Sequence, residues 1–515
     1  MIDTKNKFDR FLMAVPGVLT WTMLLMPIWL GFIAPKIVAF ILTYLAVYWV
    51  YMAVTHGIGL IKGYKIYEKE ISIDWYGKCK ELNFKELPNK KTLPESLDKL
   101  KHLILIPTVS EGYEILSETI ETIIKSSFPV KNILLVIGVE EVGEEKVKKT
   151  LEKIKGDYDK NNFPELMFFA HPKGILGEIV GVASPNRSWA AKHAVSKLLK
   201  EEKNINNYIF TTYDSDWKIH KEFLSRIAYE YLIDTKRFNR FYETVVHLFS
   251  NNIWTVPLTS RIEANNVTLG MLSNWTSGHL FSMPKESFSC YSCALDTLIA
   301  ADFWDTTLID DTVFYWRAFS AREGDFSERH FYIPIYGDAT GGKNFINANQ
   351  NLYKQLVRWG WGSVTTIIAL KAILKQASNK KATLEQKILW GYSKIERHLL
   401  MRTSAFLITV GFSLVTFVNT AFKHSSTVYG LPQVLSIILT GGLFIFIPAT
   451  YVRMKLYKGT LPKKWPLWRR VIAVIEGPAL MLNLLTFSFI PFLYAETRMM
   501  FGELPKTTFY TPKSR

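Results

Sequence analysis

The chain has 515 residues, of which 48% are hydrophobic, and its formal net charge is +16. This length is too great for one ordinary hydrophobic core and predicts about two or three domains. The three cysteines, Cys79, Cys290 and Cys293, exclude a disulfide framework. The single Cys-x-x-Cys has no second ligand pair to complete a zinc site, so buried free thiols are the simpler interpretation.

The positive charge does not indicate nucleic-acid binding, because the basic residues do not alternate with exposed aromatic residues in a small domain. Many of them flank apolar runs instead. Anionic lipids of the inner leaflet attract Lys and Arg at such places. We therefore predict membrane lipids, and no nucleic acid, among the partners, and a second part of the charge can face an anionic substrate.

Two stretches without charge open the chain, residues 11–35 and residues 37–56, with Lys36 between them. Each is long enough to cross roughly 30 Å of hydrocarbon as a helix. Neither has the short apolar region and the cleavage site of a secretory signal peptide. We predict a hairpin of two transmembrane helices and assign it residues 1–62.

Short apolar segments alternate with helical segments in residues 63–348. Continuous apolar strands separated by helices predict an α/β domain with a mostly parallel, Rossmann-like sheet that is covered on both faces. Sheets of this kind bind ligands outside the carboxyl ends of their strands. The predicted strands are residues 103–107, 133–139, 166–170 and 208–212, and the predicted helices are residues 111–127, 146–154 and 189–202.

Polar and acidic residues follow three of these strands, at the edge where ligands bind. Helix capping explains a single residue there about equally well, but it explains three strand ends together less well. Asp214 and Asp216 point to the same face of an extended chain, because its side-chain period is two. Mg²⁺ commonly takes one or two carboxylates plus substrate phosphates, so this pair predicts a divalent metal that bridges to a diphosphate. The strand-end residues are Thr108 and Glu111, Glu140 and Glu141, and Asp214 and Asp216.

Three further apolar stretches, residues 403–422, about 431–452 and about 471–495, predict a C-terminal membrane region of about three helices, residues 403–515. The loop at residues 451–470 holds several Lys and Arg and no acid, which places it in the cytoplasm. Counting crossings from either end then puts the α/β domain on the cytoplasmic side of the plasma membrane. A single crossing by the last stretch would put the end of the sequence outside.

A Gln-x-x-Arg-Trp motif lies in residues 349–402, which we predict to form interfacial helices. Gln355, Arg358 and Trp359 would share one helical face. The planar fork of Arg358 suits a diphosphate, and the ring of Trp359 can stack on a sugar. Trp and Arg also anchor helices at lipid headgroups, and both interpretations can hold together. The amphipathic run at residues 383–401 is predicted to lie along the membrane surface.

Three motifs in this order between membrane helices resemble the family 2 membrane glycosyltransferases, to which cellulose, chitin and hyaluronan synthases belong. They are the Asp-x-Asp of Asp214 and Asp216, the acidic pair Asp310 and Asp311, and Gln-x-x-Arg-Trp. The resemblance covers roughly residues 11–495. It implies a GT-A domain inserted between transmembrane helices, with a nucleotide-diphosphate sugar as donor and Mg²⁺ or Mn²⁺ as cofactor. We predict transfer with inversion to a growing polysaccharide.

The resemblance also implies roles for single residues. Asp311 would be the catalytic base that takes a proton from the acceptor hydroxyl. Asp214 and Asp216 would hold the metal. Donor-binding residues would be Thr108, Glu111, Glu140, Glu141, Lys192, Asp214 and Arg358. Acceptor-binding residues would be Gly278, His279, Gln355 and Trp359.

This chain departs from the family pattern at two strand ends. It reads Pro-Thr-Val-Ser-Glu where the family usually has Pro-Thr-Tyr-Asn-Glu, and Glu140-Glu141 where the family usually has Asp-Asp. The identity of the nucleotide therefore stays open. Arg187 is a rival to Lys192 for the basic residue beside the phosphates.

Other interpretations remain open at this point. Ser-Gly-His around Gly278 is also consistent with an ordinary turn, and His279 with a hydrogen-bonded loop histidine. A non-processive enzyme with a lipid acceptor would carry a similar Gln-x-x-Arg-Trp motif. A transporter should show internal repeats, which the sequence lacks, and a membrane scaffold would not need the carboxylates.

Overall fold

The structure is a computed structural model that describes residues 2, 5–277, 283–287, 289–308, 312–509 and 511. Over these residues, helices of membrane length flank an α/β region on both sides. The strands are β1 (Lys101–Thr108), β2 (Ile133–Glu140), β3 (Glu165–His171), β4 (Tyr208–Thr212), β5 (Lys218–Ile219), β6 (Arg240–Thr244), β7 (His247–Leu248), β8 (Tyr291–Ala294), β9 (Ser327–Phe331) and β10 (Ile335–Tyr336). The helices are α1 (Lys7–Ile33), α2 (Pro35–Glu70), α3 (Trp75–Glu81), α4 (Tyr113–Ile124), α5 (Glu144–Gly156), α6 (Ser184–Lys200), α7 (Phe223–Ile233), α8 (Leu258–Asn274), α9 (Leu295–Ala300), α10 (Val313–Ala321), α11 (Phe345–Gly360), α12 (Val364–Leu374), α13 (Leu384–Ile395), α14 (Met401–Phe406), α15 (Phe412–Val418), α16 (Thr420–Lys423), α17 (Ser426–Gly442), α18 (Phe446–Leu456), α19 (Leu467–Ile475), α20 (Leu480–Leu485) and α21 (Ile490–Met500).

The main sheet has the strand order β3-β2-β1-β4-β8-β6-β9 over the described residues. Strand β8 runs antiparallel to both of its neighbours, and every other neighbouring pair is parallel. The predicted α/β class with a mostly parallel sheet is therefore confirmed. A smaller sheet, β5-β10-β7, stands beside it.

Strand β1 shows why the apolar runs form central strands. Successive side chains of a strand point to opposite faces of the sheet. Leu103 and Leu105 pack on the α6 side, while Ile104 and Ile106 pack on the α4 side, and all four are fully buried. Each such side chain contributes roughly 1.5–3 kcal/mol when it is removed from water. A strand buried on both faces must be apolar at every position, which is the pattern the sequence shows.

Within the described residues, five helical segments are long and apolar enough to cross a membrane. This agrees with the number of spans predicted from the sequence. Four of the five observed segments are longer than the predicted apolar stretches, because polar turns extend them at their ends, while Gly477–Met500, with 24 residues, is not. The segments are Lys7–Ile33, Pro35–Glu70, Leu384–Val418, Ser426–Leu456 and Gly477–Met500.

The third of these segments begins earlier than predicted. Thr383 and Gln386 form a reciprocal capping box that starts the helix at Leu384. The helix then continues through two π-helical turns, Glu396–Leu400 and Leu407–Gly411, to Val418. The amphipathic run predicted to lie along the membrane surface is thus the first part of a membrane-length helix.

The segment Gly477–Met500 begins and ends beside the α/β region. At its start, the carboxylate of Glu476 lies 3.0 Å from Arg261 of α8. Beyond its end, the amide of Thr508 donates a 2.9 Å hydrogen bond to the carbonyl of Val180, in the loop after β3. The helix is interrupted between α20 and α21. Both ends of the segment therefore contact the α/β region, and the side of the membrane on which the end of the sequence lies stays a prediction.

Helix α1 is attached to distant parts of the chain by polar contacts. The carboxylate of Asp9 is buried and lies 2.7 and 2.8 Å from the ammonium of Lys371 in α12. The hydroxyl of Thr20 donates a 2.8 Å hydrogen bond to Glu496 in α21. A polar group inside an apolar bundle costs free energy unless it is paired, so these contacts fix how α1 packs.

Candidate functional site

The turns after β1 and β4 are joined through one carboxylate. Glu111 is buried, and one of its oxygens accepts hydrogen bonds from the amides of Val109, at 2.6 Å, and Ser110, at 3.0 Å. Its other oxygen accepts from the hydroxyl of Ser215 at 2.9 Å. Glu111 therefore lies next to the Asp-Ser-Asp turn, as the sheet-edge argument predicts, and it holds two strand-end turns together.

Asp214 forms an ion pair with a fully buried arginine. A guanidinium nitrogen of Arg187, near the start of α6, donates a 2.6 Å hydrogen bond to the carboxylate of Asp214. Lys192 lies elsewhere on the same helix, with its ammonium 3.8 Å from the carboxylate of the exposed Asp302. Arg187, the rival candidate, is thus the basic residue at the Asp-Ser-Asp turn.

Thr108 faces the neighbouring strand. Its hydroxyl donates a 3.1 Å hydrogen bond to the carbonyl of Gly138, and its own carbonyl accepts one from the amide of Asn186 at 3.0 Å. A methyl group on Gly138 would lie 2.5 Å from the Asn186 side chain, so only glycine fits there. The start of α6, which carries Arg187, is thereby fixed against the ends of β1 and β2.

Glu140 and Glu141 are engaged with β3 and the loop that follows it. The ring of His171 lies 3.0 Å from Glu140 and 2.9 Å from Glu178. Glu141 accepts a 2.9 Å hydrogen bond from the amide of Lys173. Burial favours neutral His171, but the two carboxylates outweigh burial, so its pKa is raised. Strand β2 is two places from β4, about 10 Å across the sheet, so this cluster flanks the Asp-Ser-Asp turn.

A hydrogen-bonded series connects Asp216 to helix α11. The side-chain amide of Asn251 donates to the backbone carbonyl of Asp216 at 3.2 Å and to the carboxylate of Asp338 at 2.8 Å. Two residues further on, the hydroxyl of Thr340 donates to the side chain of Gln355. The structure therefore brings the Gln-x-x-Arg-Trp helix to the loops that support the Asp-Ser-Asp turn.

The sequence analysis missed Asp338 and Asn251. Asp338 follows β10 closely, so it is one more carboxylate at a strand end, and the same reasoning would have found it had this two-residue strand been recognised. Asn251 lies in a loop, and its sequence context carries no comparable signal.

Arg358 contacts a segment that the sequence analysis did not consider. One of its guanidinium nitrogens donates a 3.3 Å hydrogen bond to the carbonyl of Phe509. Residues 503–509, called here the strap, run past the loop after β3, where Val180 and Thr507 form a parallel β-bridge. Trp359 is 41% exposed on the outer face of α11. Arg358 thus lies beside the strap, while Trp359 faces outward.

Gly278, His279, Asp310 and Asp311 lie outside the described residues. Their neighbours in the chain are described: Leu308 and Val313 pack in one apolar cluster with Trp361, just after α11. Ser277 and Met283 line a cavity among the membrane helices.

Two carboxylates of the described residues, Asp214 and Asp216, are candidate metal ligands. Among them, no group of three or more His, Cys, Asp or Glu side chains is arranged to hold a metal ion. Asp214 and Asp216 are oxygen donors, the type that Mg²⁺ and Mn²⁺ prefer, and a diphosphate would supply further oxygens. The pair therefore fits a metal that binds together with a phosphate ligand. The cysteines are buried free thiols, as predicted.

No protein-family model matches the chain, and no curated protein sequence matches it. Among solved structures, it is similar to the mannosyltransferase PcManGT from Pyrobaculum calidifontis in complex with GDP-Man and Mn²⁺, with 10% identity and a TM-score of 0.41, over 90% of this chain and 99% of that one. It is also similar to S. aureus TarS 1–349 in complex with UDP-GlcNAc, with 14% identity and a TM-score of 0.33, over 78% of this chain and 93% of that one.

Proposed function

We propose that the chain is a membrane glycosyltransferase with a GT-A-like domain that transfers a sugar from a nucleotide-diphosphate sugar with inversion. The observation that carries the proposal is the Asp-Ser-Asp turn at the carboxyl edge of the sheet. Glu111 and Arg187 hold this turn from one side and Asn251 from the other. Two carboxylates fixed at a ligand-binding edge suit a metal-bound diphosphate better than they suit helix capping.

Asp214 and Asp216 would hold Mg²⁺ or Mn²⁺, which when bound neutralises charge on a leaving diphosphate. Arg187 orients Asp214 through its ion pair. Arg358 lies on α11, which Gln355 connects to the supporting loops, and its fork would bind the diphosphate from the membrane side. We assign Thr108, Glu111, Glu140 and Glu141 to the nucleotide side of the cleft.

We assign the catalytic base to Asp311, following the family resemblance. Its task is to take a proton from the acceptor hydroxyl as the new bond to the anomeric carbon forms and the bond to the diphosphate breaks. Gly278, His279, Gln355 and Trp359 are assigned to the acceptor side. The acceptor implied by the resemblance is a growing polysaccharide, and a lipid acceptor is the second candidate, favoured by the cavity described below.

The proposed organisation keeps the domains predicted from the sequence. Residues 1–62 form the membrane hairpin, residues 63–348 the glycosyltransferase domain, residues 349–402 the motif-bearing helices and residues 403–515 the C-terminal membrane region. The basic loop at residues 451–470 supports a cytoplasmic position for the catalytic domain, at the plasma membrane.

The test is donor turnover by the purified protein in detergent, measured as nucleoside diphosphate release from a panel of nucleotide sugars. We expect Asp311→Asn to lower turnover by about 10²–10⁴-fold, the usual contribution of a general base. Asp216→Asn should abolish the metal dependence. Asp302→Asn is the matched control, because Asp302 is exposed and paired only with surface cations.

Unchanged turnover in Asp311→Asn would reject the assignment of the base. The length of the labelled product then separates the acceptor classes. Repeated addition indicates a polysaccharide synthase, and single addition to a lipid indicates the non-processive enzyme.

A further inference from the structure

A cavity of about 1020 Å³ lies among the membrane helices, against α8 and the middle of α2. It is at the upper end of the range for ligand pockets in proteins, roughly 300–1,000 Å³. None of the residues assigned above to donor binding lines it. Its walls are formed by α2, α8, α14, α17, α18 and α20 and by the π-helical turns after α13.

One part of the cavity is lined by aliphatic side chains. Aromatic rings are few, whereas carbohydrate chains commonly stack on aromatic faces. Such an aliphatic wall removes a hydrocarbon chain from water, although four hydroxyl side chains, Thr409, Ser413, Ser436 and Thr440, line the cavity as well. The aliphatic residues include Ile408, Leu435, Leu439, Leu443, Leu480 and Leu484.

Polar residues line the other part, near the helix ends that adjoin the α/β region. Arg397 and Phe412 both line the cavity on the helical segment Leu384–Val418, about 22 Å apart at 1.5 Å per residue. On Ser426–Leu456, Leu435 lies deep and Arg453 lies near the end. The cavity is therefore amphipathic along the membrane normal, as a lipid is.

Lys285 is a buried basic residue in the polar part of the cavity lining. It is only 9% exposed, and its ammonium donates a 2.6 Å hydrogen bond to the neutral side chain of Asn274. Among the described residues, no carboxylate lies within 4.0 Å of this ammonium. By contrast, Arg397 lies 3.2 Å from Glu286, and Arg453 is also paired with a carboxylate.

The surroundings of Lys285 favour an additional anion. Burial and the nearby charge of Arg397 lower the pKa of Lys285 to about 8, although Glu328 and Glu396 act in the opposite direction. A buried cation without a close counter-ion is unfavourable, because its hydration is lost and no opposite charge replaces it. A phosphate between Lys285 and Arg397 would remove that cost.

The polar end is also close to the candidate donor site along the chain. Lys285 precedes β8, whose first residue, Tyr291, is paired with Thr212 at the end of β4. Thr212 is two residues before Asp214. Lys285 is six residues before Tyr291, which places it at most about 20 Å from the first residue of β8, at the edge of the sheet that carries Asp214.

We propose that this cavity binds the acceptor as an amphipathic lipid, with a phosphate- or diphosphate-bearing head at Lys285 and Arg397 and a long hydrocarbon tail between the helices. The inference rests on the proposed function, because it names the acceptor class of that reaction. An oxygen of the head group forms the bond to the anomeric carbon as the bond to the nucleoside diphosphate breaks. Where that oxygen carries a hydrogen, Asp311 takes the proton.

The experiment measures lipid binding to the full chain in detergent by native mass spectrometry, without any nucleotide sugar. The probes are a polyisoprenyl phosphate, the matching polyisoprenol, phosphatidylglycerol, inorganic phosphate and a soluble oligosaccharide. We expect one polyisoprenyl phosphate per chain, bound at least about tenfold more tightly than the polyisoprenol, because a charge-assisted hydrogen bond contributes that much.

Two pairs of variants locate the head and the tail. Lys285→Gln should weaken binding of the phosphate about tenfold but not binding of the alcohol, and Lys285→Arg should restore it. Lys464→Gln, in the exposed basic loop, should change neither. Leu439→Trp should block the cavity, whereas Ile437→Trp, on the same helix but 74% exposed and outside the cavity lining, should not.

Equal binding of the alcohol, or displacement by the oligosaccharide, would overturn the inference, whereas equal binding of phosphatidylglycerol would support a phosphate-bearing head without selecting the tail. So would unchanged binding in both Lys285→Gln and Leu439→Trp. The two proposals fail separately. If the protein turns over a donor but binds no lipid, only the proposal of a lipid acceptor is rejected. If it binds the lipid but turns over no nucleotide sugar, the proposed function is rejected.

Discussion

At the scale of single residues, the candidate site depends on buried polar groups that form hydrogen bonds and ion pairs with one another. Arg187 is fully buried, and Asp214, with which it forms an ion pair, is partly exposed, so the pair connects the interior of the domain to the cleft. The sequence predicted the carboxylates because they follow an apolar strand. It left Arg187 and Lys192 as alternatives, because a five-residue difference along α6 decides which side chain points to the turn.

We predict that Arg187→Met destabilises the protein by about 3 kcal/mol, because it leaves a carboxylate beside an emptied buried position. It should also lower kcat/KM for the donor. Lys192→Met, on the same helix, should change stability by no more than about 0.5 kcal/mol, as surface substitutions usually do. Thermal unfolding in detergent measures both, and equal effects of the two substitutions would contradict the structural assignment.

The His171 cluster gives stability a pH dependence. The pKa of His171 is raised by Glu140 and Glu178, so the folded state binds the proton more tightly than the unfolded state. The stabilisation is complete below the ordinary histidine pKa of about 6.5 and is lost as the pH rises through the higher folded value.

We therefore expect the difference in thermal midpoint between the native protein and His171→Gln to shrink as the pH increases from about 6 to 9. Unfolding curves at a series of pH values measure this difference. His193→Gln is the control, because His193 is exposed on α6. A difference that grows with pH would show that the ring is bound in its neutral form.

At the scale of elements, the accuracy of the sequence prediction depended on how strongly the local hydrophobic pattern determines each helix or strand. Buried strands such as β2 and β4 were predicted nearly to the residue, because a strand covered on both faces must be apolar throughout. Short strands such as β7 and β10 carry too few residues to show a period. The strap pairs through backbone groups, which any sequence can supply, so its place beside Val180 had no signal in the sequence.

The strap offers a direct test of this pairing. Thr508→Pro removes the amide that donates to Val180, at a cost of about 1 kcal/mol for one hydrogen bond. We expect trypsin to cleave after Lys506 several-fold faster in this variant. Thr508→Ala keeps the amide and loses only the hydroxyl contact to Gly181, so it should be cleaved at nearly the native rate. Equal cleavage of both variants would mean that the backbone pairing does not hold the strap.

At the scale of the whole molecule, the membrane helices and the α/β region form one connected structure. Glu476 pairs with Arg453 of α18 at 2.6 Å and with Arg261 of α8 at 3.0 Å. The number of apolar helices was predicted from the sequence, since hydropathy and length determine it. The contacts that both ends of Gly477–Met500 make with the α/β region were not predicted, because they join segments that are distant in the sequence.

We predict that the strap and the α/β domain are on the same side of the membrane. Lys506→Cys and Glu145→Cys should react with an impermeant maleimide only when the cytoplasmic face is accessible, and Ser426→Cys only from the opposite face. The native cysteines are buried and should contribute little background. Labelling of Lys506→Cys from the same face as Ser426→Cys would instead show that the segment Gly477–Met500 crosses the membrane once.

The ion pair of Asp9 with Lys371 has a consequence for biosynthesis. The two residues are 362 positions apart, so α1 enters the bilayer long before its partner leaves the ribosome. Before Lys371 is made, the charged residues near Asp9 are its neighbours in the sequence, Lys7 and Arg10. The final packing of α1 against α12 through this ion pair is therefore reached only after the α/β region has been made.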